Sequence, residues 1–241
     1  MDINQKIKQD IINRVKSAKK NRIKPVYIMS QPGLSNLEKD AVLDGVSEII
    51  DMAKIKGIII KDFGTWRSPD YLSKNGILKE YNSVDWYIQK GKETSRNDYQ
   101  INAREILDLL SNEPWKKHQD HYDVIIAKED IYQVNLNFII GCAKPRGDTI
   151  ISTFRFNELD DRMKYECIKT EAMHEICHVF GMISEGRTEN VEYSLGKHCT
   201  NICIMRQGVN VPTDWINITN DRLKYNALCN QCKTELINYF K

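Results

Sequence analysis

Long hydrophobic runs are missing from this 241-residue chain. Its most apolar stretches, such as Gly57–Ile60 and Val124–Ala127, are strand-sized, far short of the ~20 residues a spanning helix needs, so no membrane partner is expected. No apolar segment with a small-residue cleavage site follows the N-terminal charges; no secretory signal is expected, and the expected compartment is the cytoplasm. Internal repeats and low-complexity segments are absent too. Net charge is nearly absent: 35 Lys and Arg against 33 Asp and Glu leave +2. The small surplus is gathered in residues 1–24, where eight Lys or Arg face only Asp2 and Asp10. A basic arm of this kind can touch nucleic acid or anionic lipid. Here Ile3, Ile7, Ile11 and Val15 recur every four residues, which describes a basic helix over 1–24 with a solvated face. Nothing else in the chain resembles a nucleic-acid module, so nucleic acid is not the expected partner.

What is present is a globular balance, 41% hydrophobic and 28% charged residues, at a length that suits one or two packed units around one main core. Val26–Met29, Ile58–Lys61, Tyr122–Ala127, Leu136–Cys142 and Thr149–Phe156 read as strands, the last two joined by a turn at Ala143–Asp148. Ser35 followed by Glu38 is a capping box that opens a long helix, and Ile101–Leu110 is a shorter one. A further helix runs from about Leu159, with Asn157 as N-cap, to just before Gly181. Residues 64–98 read as irregular, their aromatic side chains as packing. The expected architecture is mixed α/β in the upper part, with a small loop-rich lower part.

Seven cysteines are an odd number, and without a signal they do not suggest a disulfide framework. Four of them, Cys199, Cys203, Cys229 and Cys232, gather near the C-terminus as Cys-x3-Cys and Cys-x2-Cys, which in a reducing compartment reads as thiolates on a metal. Cys142, Cys167 and Cys177 read as core thiols. The pair His118 and His121 lies in polar flanks and reads as a solvated loop.

His174-Glu175-Ile176-Cys177-His178 is an HExxH string at the end of the predicted helix. Four residues are slightly more than one turn, so both imidazoles project from one face and can grip one zinc, with Glu175 beside them to take a proton from an activated water. Gly181 follows, then His198-Cys199, Cys203, Met205 and the closing Cys229-Asn230-Gln231-Cys232. In this order the segment His174–Cys232 resembles the archaemetzincins, zinc peptidases of the metzincin clan, whose pattern is HExxHxxG, a third His followed at once by Cys, a second Cys, Cys-x-Met, and a final Cys-x2-Cys.

The resemblance implies a zincin-like fold: a mixed twisted sheet with an active-site helix, and a zinc-stapled C-terminal subdomain. The parts are 1–24, then 25–181 as the upper subdomain with the active-site helix, then 182–241 with third ligand, Met-turn and cysteine site. It implies a peptide or protein substrate, pairing with the edge strand near Leu136–Cys142, and Glu175 as general base. Two zinc ions are implied: a catalytic one on His174, His178 and His198, and a structural one on Cys199, Cys203, Cys229 and Cys232, with Met205 as the Met-turn. The chain departs from the pattern where the third His is expected, three residues after Gly181: Ser184 stands there, and His198 comes 14 residues later. Residues 184–197 therefore read as an insertion. The alternative is that Glu185, Glu189 or Glu192 supplies the third ligand. A catalytically silent zinc protein that keeps this fold, and a zinc-stapled interaction module, remain as alternatives to a peptidase.

Overall fold

The computed structural model describes residues 22–67 and 80–241. The basic helix expected over 1–24 lies outside the described residues except for its last three positions, which form no helix. Strands β1 (Val26–Ser30), β2 (Ile60–Asp62), β4 (Tyr122–Ala127), β6 (Gly141–Ala143) and β7 (Thr149–Ser152) make one sheet in the order β2-β1-β4-β7-β6. The first four run parallel and β6 is antiparallel to β7, so the sheet is mixed and ends on an antiparallel edge. β3 (Gln100–Asn102) and β5 (Asp130–Tyr132) pair in a small parallel sheet of their own.

Alternation along the central strands sends side chains into two cores. Ile28, Val124, Ile126 and Ile151 meet α1 (Asn36–Met52) and α4 (Asp161–Val179) on one face. Met29, Ile125 and Ile150 meet α2 (Val84–Glu93) and α3 (Ala103–Ser111) on the other. The capping box of α1 is formed: Ser35 Oγ accepts from the Glu38 amide at 3.3 Å, and Glu38 accepts from the Ser35 amide at 2.8 Å. Helices α1 and α4 approach closely at Gly45, where a Cβ would lie 2.7 Å from the Lys169 carbonyl.

Several elements differ from expectation. The α4 N-cap is Asp160, whose carboxylate accepts from the Met163 amide, rather than Asn157, because Phe154–Phe156 turns as a 3-10 helix once β7 has ended at Ser152. Residues 64–98 contain α2, whose stripe of Val84, Tyr87, Ile88 and Gly91 is buried. The strand expected over Leu136–Cys142 is confined to Gly141–Ala143. The loops of the last third are framed by α5 (Thr213–Lys224) and α6 (Asn230–Phe240), and a two-residue hairpin pairs β8 (Val191–Glu192) with β9 (His198–Cys199). Among the described residues no helix is long and apolar enough to cross a membrane.

Candidate metal centre

Helix α4 ends in a Schellman turn, the Gly181 amide donating to His178 O at 2.9 Å and Met182 to Cys177 O at 3.0 Å, with Gly181 at φ +71° where a side chain would be strained. The turn reverses the chain directly beneath the last helical residues. The turn also places the Met182 carbonyl 3.2 Å from His178 Nδ1, and from the segment after β9 the Ile204 carbonyl lies 2.7 Å from His174 Nδ1. A carbonyl only accepts, so both Nδ1 atoms carry the proton and both Nε2 atoms are left with lone pairs. Those two Nε2 atoms are 3.0 Å apart. Burial holds both imidazoles neutral, His174 well below the ordinary histidine value and His178 down at about 3. Two bare lone pairs at that separation repel unless a cation lies against them, so the donor set fits a metal ion.

His198 completes the group. Its ring stacks on His174 with centroids 5.3 Å apart and meets His178 edge-on at 5.1 Å, and the three imidazoles offer donor atoms all within 4.8 Å of one another. Neither Glu185, Glu189 nor Glu192 belongs to this group. His198 is brought there by β9, which pairs with β8 so that Glu192 stands opposite His198, and whose Cys199 amide donates to Met205 O at 2.8 Å. Met205 is wholly buried. The residues 184–197 loop out, fastened by Lys197 Nζ to the carbonyls of Ser184 at 2.9 Å and Glu185 at 2.7 Å.

The three histidines line a cleft of about 870 Å³ together with Glu175, Glu171 and Trp215. The Glu175 carboxyl is buried, which pushes its pKa up to about 8. Glu171, one turn earlier on the same face, is fully buried; desolvation and the Glu175 charge push it up as well. Across the cleft runs β6. Ser152 donates to Ile140 O and Lys144 to Asp148 O, so alternation turns the N–H and C=O of Gly141 and Ala143 away from β7. Glu171, Gly141 and Trp215 were not singled out from sequence; the i, i+4 spacing of Glu171 and Glu175 is the one signal that was available. Cys177 and Cys167 are buried as expected, but Cys142 is half-buried on β6 and lines the cleft.

The four C-terminal cysteines converge below this cleft, their Sγ atoms within 4.8 Å of one another. Their neighbours all donate to sulfur. Arg187 reaches Cys199 at 2.9 Å and Cys232 at 3.2 Å, and the Cys229 amide reaches Cys203 at 3.4 Å. Hydrogen bonds from Cys203 hold the thiols of Cys199 and Cys229 below the ordinary value, the latter at about 5. Four soft donors in one closed group fit a tetrahedral ion with no open position.

A third cluster corrects the sequence reading. His121 is not in a solvated loop: it is 2% exposed, with Nε2 2.7 Å from Glu113 and 3.2 Å from Asp123, while Arg67 lies 2.8 Å from Asp123 and also pairs with Glu113. Buried arginine and imidazolium charges here balance two carboxylates. The polar flanks of His121 concealed this because Arg67, which buries the two neighbouring carboxylates with it, arrives from 54 positions away.

No protein-family model matches the chain. Among curated proteins it is similar to the archaemetzincin of Nanoarchaeum equitans, 31% identical over 139 residues that span 58% of this chain and 64% of that protein. It is also similar to the archaemetzincin of Archaeoglobus fulgidus, 34% identical over 82 residues, 34% of this chain and 42% of that protein. The chain thus spans less than two thirds of the length of these relatives. Among solved structures, the archaemetzincin of Methanopyrus kandleri superposes with a TM-score of 0.59 at 20% identity, covering 90% of this chain and 96% of that one. The archaemetzincin of A. fulgidus, solved with malonate, superposes at 0.51 and 22% identity, covering 88% and 99%. These likenesses bear out the resemblance that the motifs carry: the chain is archaemetzincin-like in sequence and in fold.

Proposed function

We propose that this chain is a zinc-dependent peptidase in which His174, His178 and His198 hold the catalytic metal and Glu175 is the general base. The observation that carries it is the convergence of three imidazoles, two of them with their lone pairs aimed at one point, beside a buried carboxyl in an open cleft. A purely structural ion has no use for a carboxyl at that place, and it usually closes its shell with four protein ligands. Zinc held there would supply a Lewis acid for a carbonyl oxygen and bring the pKa of a water to about 7.

The chain's own groups do the rest. An extended peptide laid antiparallel to β6 bonds to the outward N–H and C=O groups of Gly141 and Ala143, which carries a scissile carbonyl past Glu175. Glu175 accepts a proton from the attacking water and returns it to the leaving amine. Burial of the Glu175 carboxyl strengthens it as a base, so that it can take that proton and carry it to the departing amine. In this reading residues 25–181 supply the upper wall of the cleft, and 182–241 the third ligand, the Met-turn at Met205 and a second, structural zinc on Cys199, Cys203, Cys229 and Cys232.

The test is Glu175→Ala against a peptide library, with zinc counted per chain. Cleavage should fall by at least about 100-fold, the usual loss for acid–base catalysis, while the zinc content stays at wild-type level. Unchanged cleavage in that variant removes the assignment.

A further inference from the structure

Arg187 lies in the 184–197 stretch that the archaemetzincin pattern does not contain, yet it is 5% exposed and among the most heavily bonded side chains of the lower part. Its Nε donates to Glu189 O at 2.9 Å and Nη2 to Asn190 O at 2.8 Å, fastening its own loop. The same guanidinium donates from Nη2 to Cys199 Sγ at 2.9 Å and from Nη1 to Cys232 Sγ at 3.2 Å, and Glu235 lies 3.8 Å from Nη1. The Asn190 carbonyl in turn accepts from the Thr200 amide at 3.1 Å, directly after β9. One planar group thus joins the loop, both halves of the cysteine cluster and the strand that carries His198.

The charge balance explains why a guanidinium belongs there. Four thiolates around a divalent ion retain about two negative charges, which are costly in a buried setting unless compensated. The other donors to these sulfurs are neutral, among them Asn201 Nδ2 at 3.5 Å from Cys229 and the amides of Cys229 and Cys232. Among the described residues Arg187 is the charged donor to the cluster. Its fork reaches two sulfurs and two carbonyls at once, which a lysine ammonium on a single point cannot do.

We infer that Arg187 is a positioning residue that retains the metal of the four-thiolate site and, through the loop it anchors, keeps β9 in the register that aims His198. This rests on the reading that Cys199, Cys203, Cys229 and Cys232 hold a metal. The insertion is then not a passive detour: it supplies a counter-charge and a clasp between the two sites.

The experiment compares zinc-loaded wild type, R187M and R187K by the rate of zinc release to a chromophoric chelator, and their cobalt-substituted forms by the sulfur-to-metal charge-transfer band. R187M should speed release from the four-thiolate site by about 10- to 100-fold, the usual cost of losing a partner behind a metal ligand, and should shift the band. R187K should recover part of the retention through its charge, with the band still displaced. A purely structural role would lower the melting temperature without moving that band. Should R187M not fold, R187K decides alone: wild-type release and an unmoved band overturn the assignment. Cobalt-loaded wild type without a sulfur-to-metal band overturns the reading beneath it, whereas that band present and unmoved in R187M, with zinc released at the wild-type rate, overturns the role of Arg187 alone.

Discussion

Gly141 on β6 and Glu175 on α4 touch across the cleft so closely that a Cβ on the glycine would lie 2.6 Å from Glu175 Cγ and 2.7 Å from its Oε1. The same Cβ would come 2.2 Å from Glu171 Oε1. A methyl group therefore cannot enter without moving β6 or the carboxyl pair. The residue that brings β6, the edge proposed to pair with substrate, up to the proposed general base is a glycine because only hydrogen fits between them.

Gly141→Ala should accordingly lower peptide cleavage far more than it lowers metal content. The atoms such a Cβ would meet first belong to Glu171 and Glu175 rather than to a histidine, so Glu175 must shift or β6 must retreat. Overpacking of this kind typically costs about 1–3 kcal/mol, so the melting temperature should fall by some degrees. Steady-state kinetics with zinc analysis checks it; full activity in the variant would mean that the edge strand and Glu175 do not act together.

The Arg67 cluster predicts a stability effect remote from the cleft. Burial disfavours the His121 imidazolium, but Asp123 and Glu113 outweigh it and push its pKa up to about 9. A folded-state value above the unfolded one, ordinarily near 6.5, contributes stability that is whole below about pH 6.5 and is lost as pH rises through 9. His121→Asn should flatten the fall in melting temperature between those limits. Arg67→Met should cost about 3–5 kcal/mol, because Glu113 and Asp123 then lose their buried cation. Denaturant titration at pH 6 and pH 9 reads both, and a His121→Asn profile that falls as steeply as the wild type's would refute the first.

How far the sequence disclosed all this follows from the range of each signal. His174 and His178 share a face because a four-residue spacing is a local property of a helix, and the Ser35–Glu38 box is equally local. Helix α2 went unread because its buried stripe sits among polar and aromatic neighbours, and β3 and β5, three residues each, are too short for a period of two to register. His121 was misread because Arg67 stands 54 positions away. Arg187 carried no signal at all: a lone arginine in a polar stretch becomes a sulfur ligand's partner only after β8 and β9 pair.

The cysteine cluster should behave as a folding staple. Helix α6 starts on Cys229, whose Sγ accepts from the Cys232 amide at 3.5 Å, so the helix N-terminus and the thiolate group are one unit. Binding energy at a closed thiolate site is folding energy. Cys229→Ser with Cys232→Ser should release one zinc and expose the amides of α6 to hydrogen exchange, and chelation of the wild type should have the same effect. Four freely titratable thiols in native, metal-loaded protein would contradict it.

His198 gives the sharpest separation of the two sites. It stands on the two-residue strand β9, with Cys199 in the thiolate cluster on one side and the β8 partner Glu192 opposite. The loop before it adds modest entropic cost, since closure entropy grows only logarithmically with length. Removing the imidazole should therefore weaken the catalytic metal while the cysteine cluster, whose four donors are untouched, keeps its own. His198→Ala is expected to retain one zinc per chain against an expected two in the wild type, and to lose cleavage in proportion to the metal lost, recoverable in part at high zinc. Glu192→Gln serves as the contrast, because a carboxylate ligand at that position would make Glu192→Gln, and not His198→Ala, the variant that empties the site. Two zinc ions retained in His198→Ala would remove His198 from the ligand set.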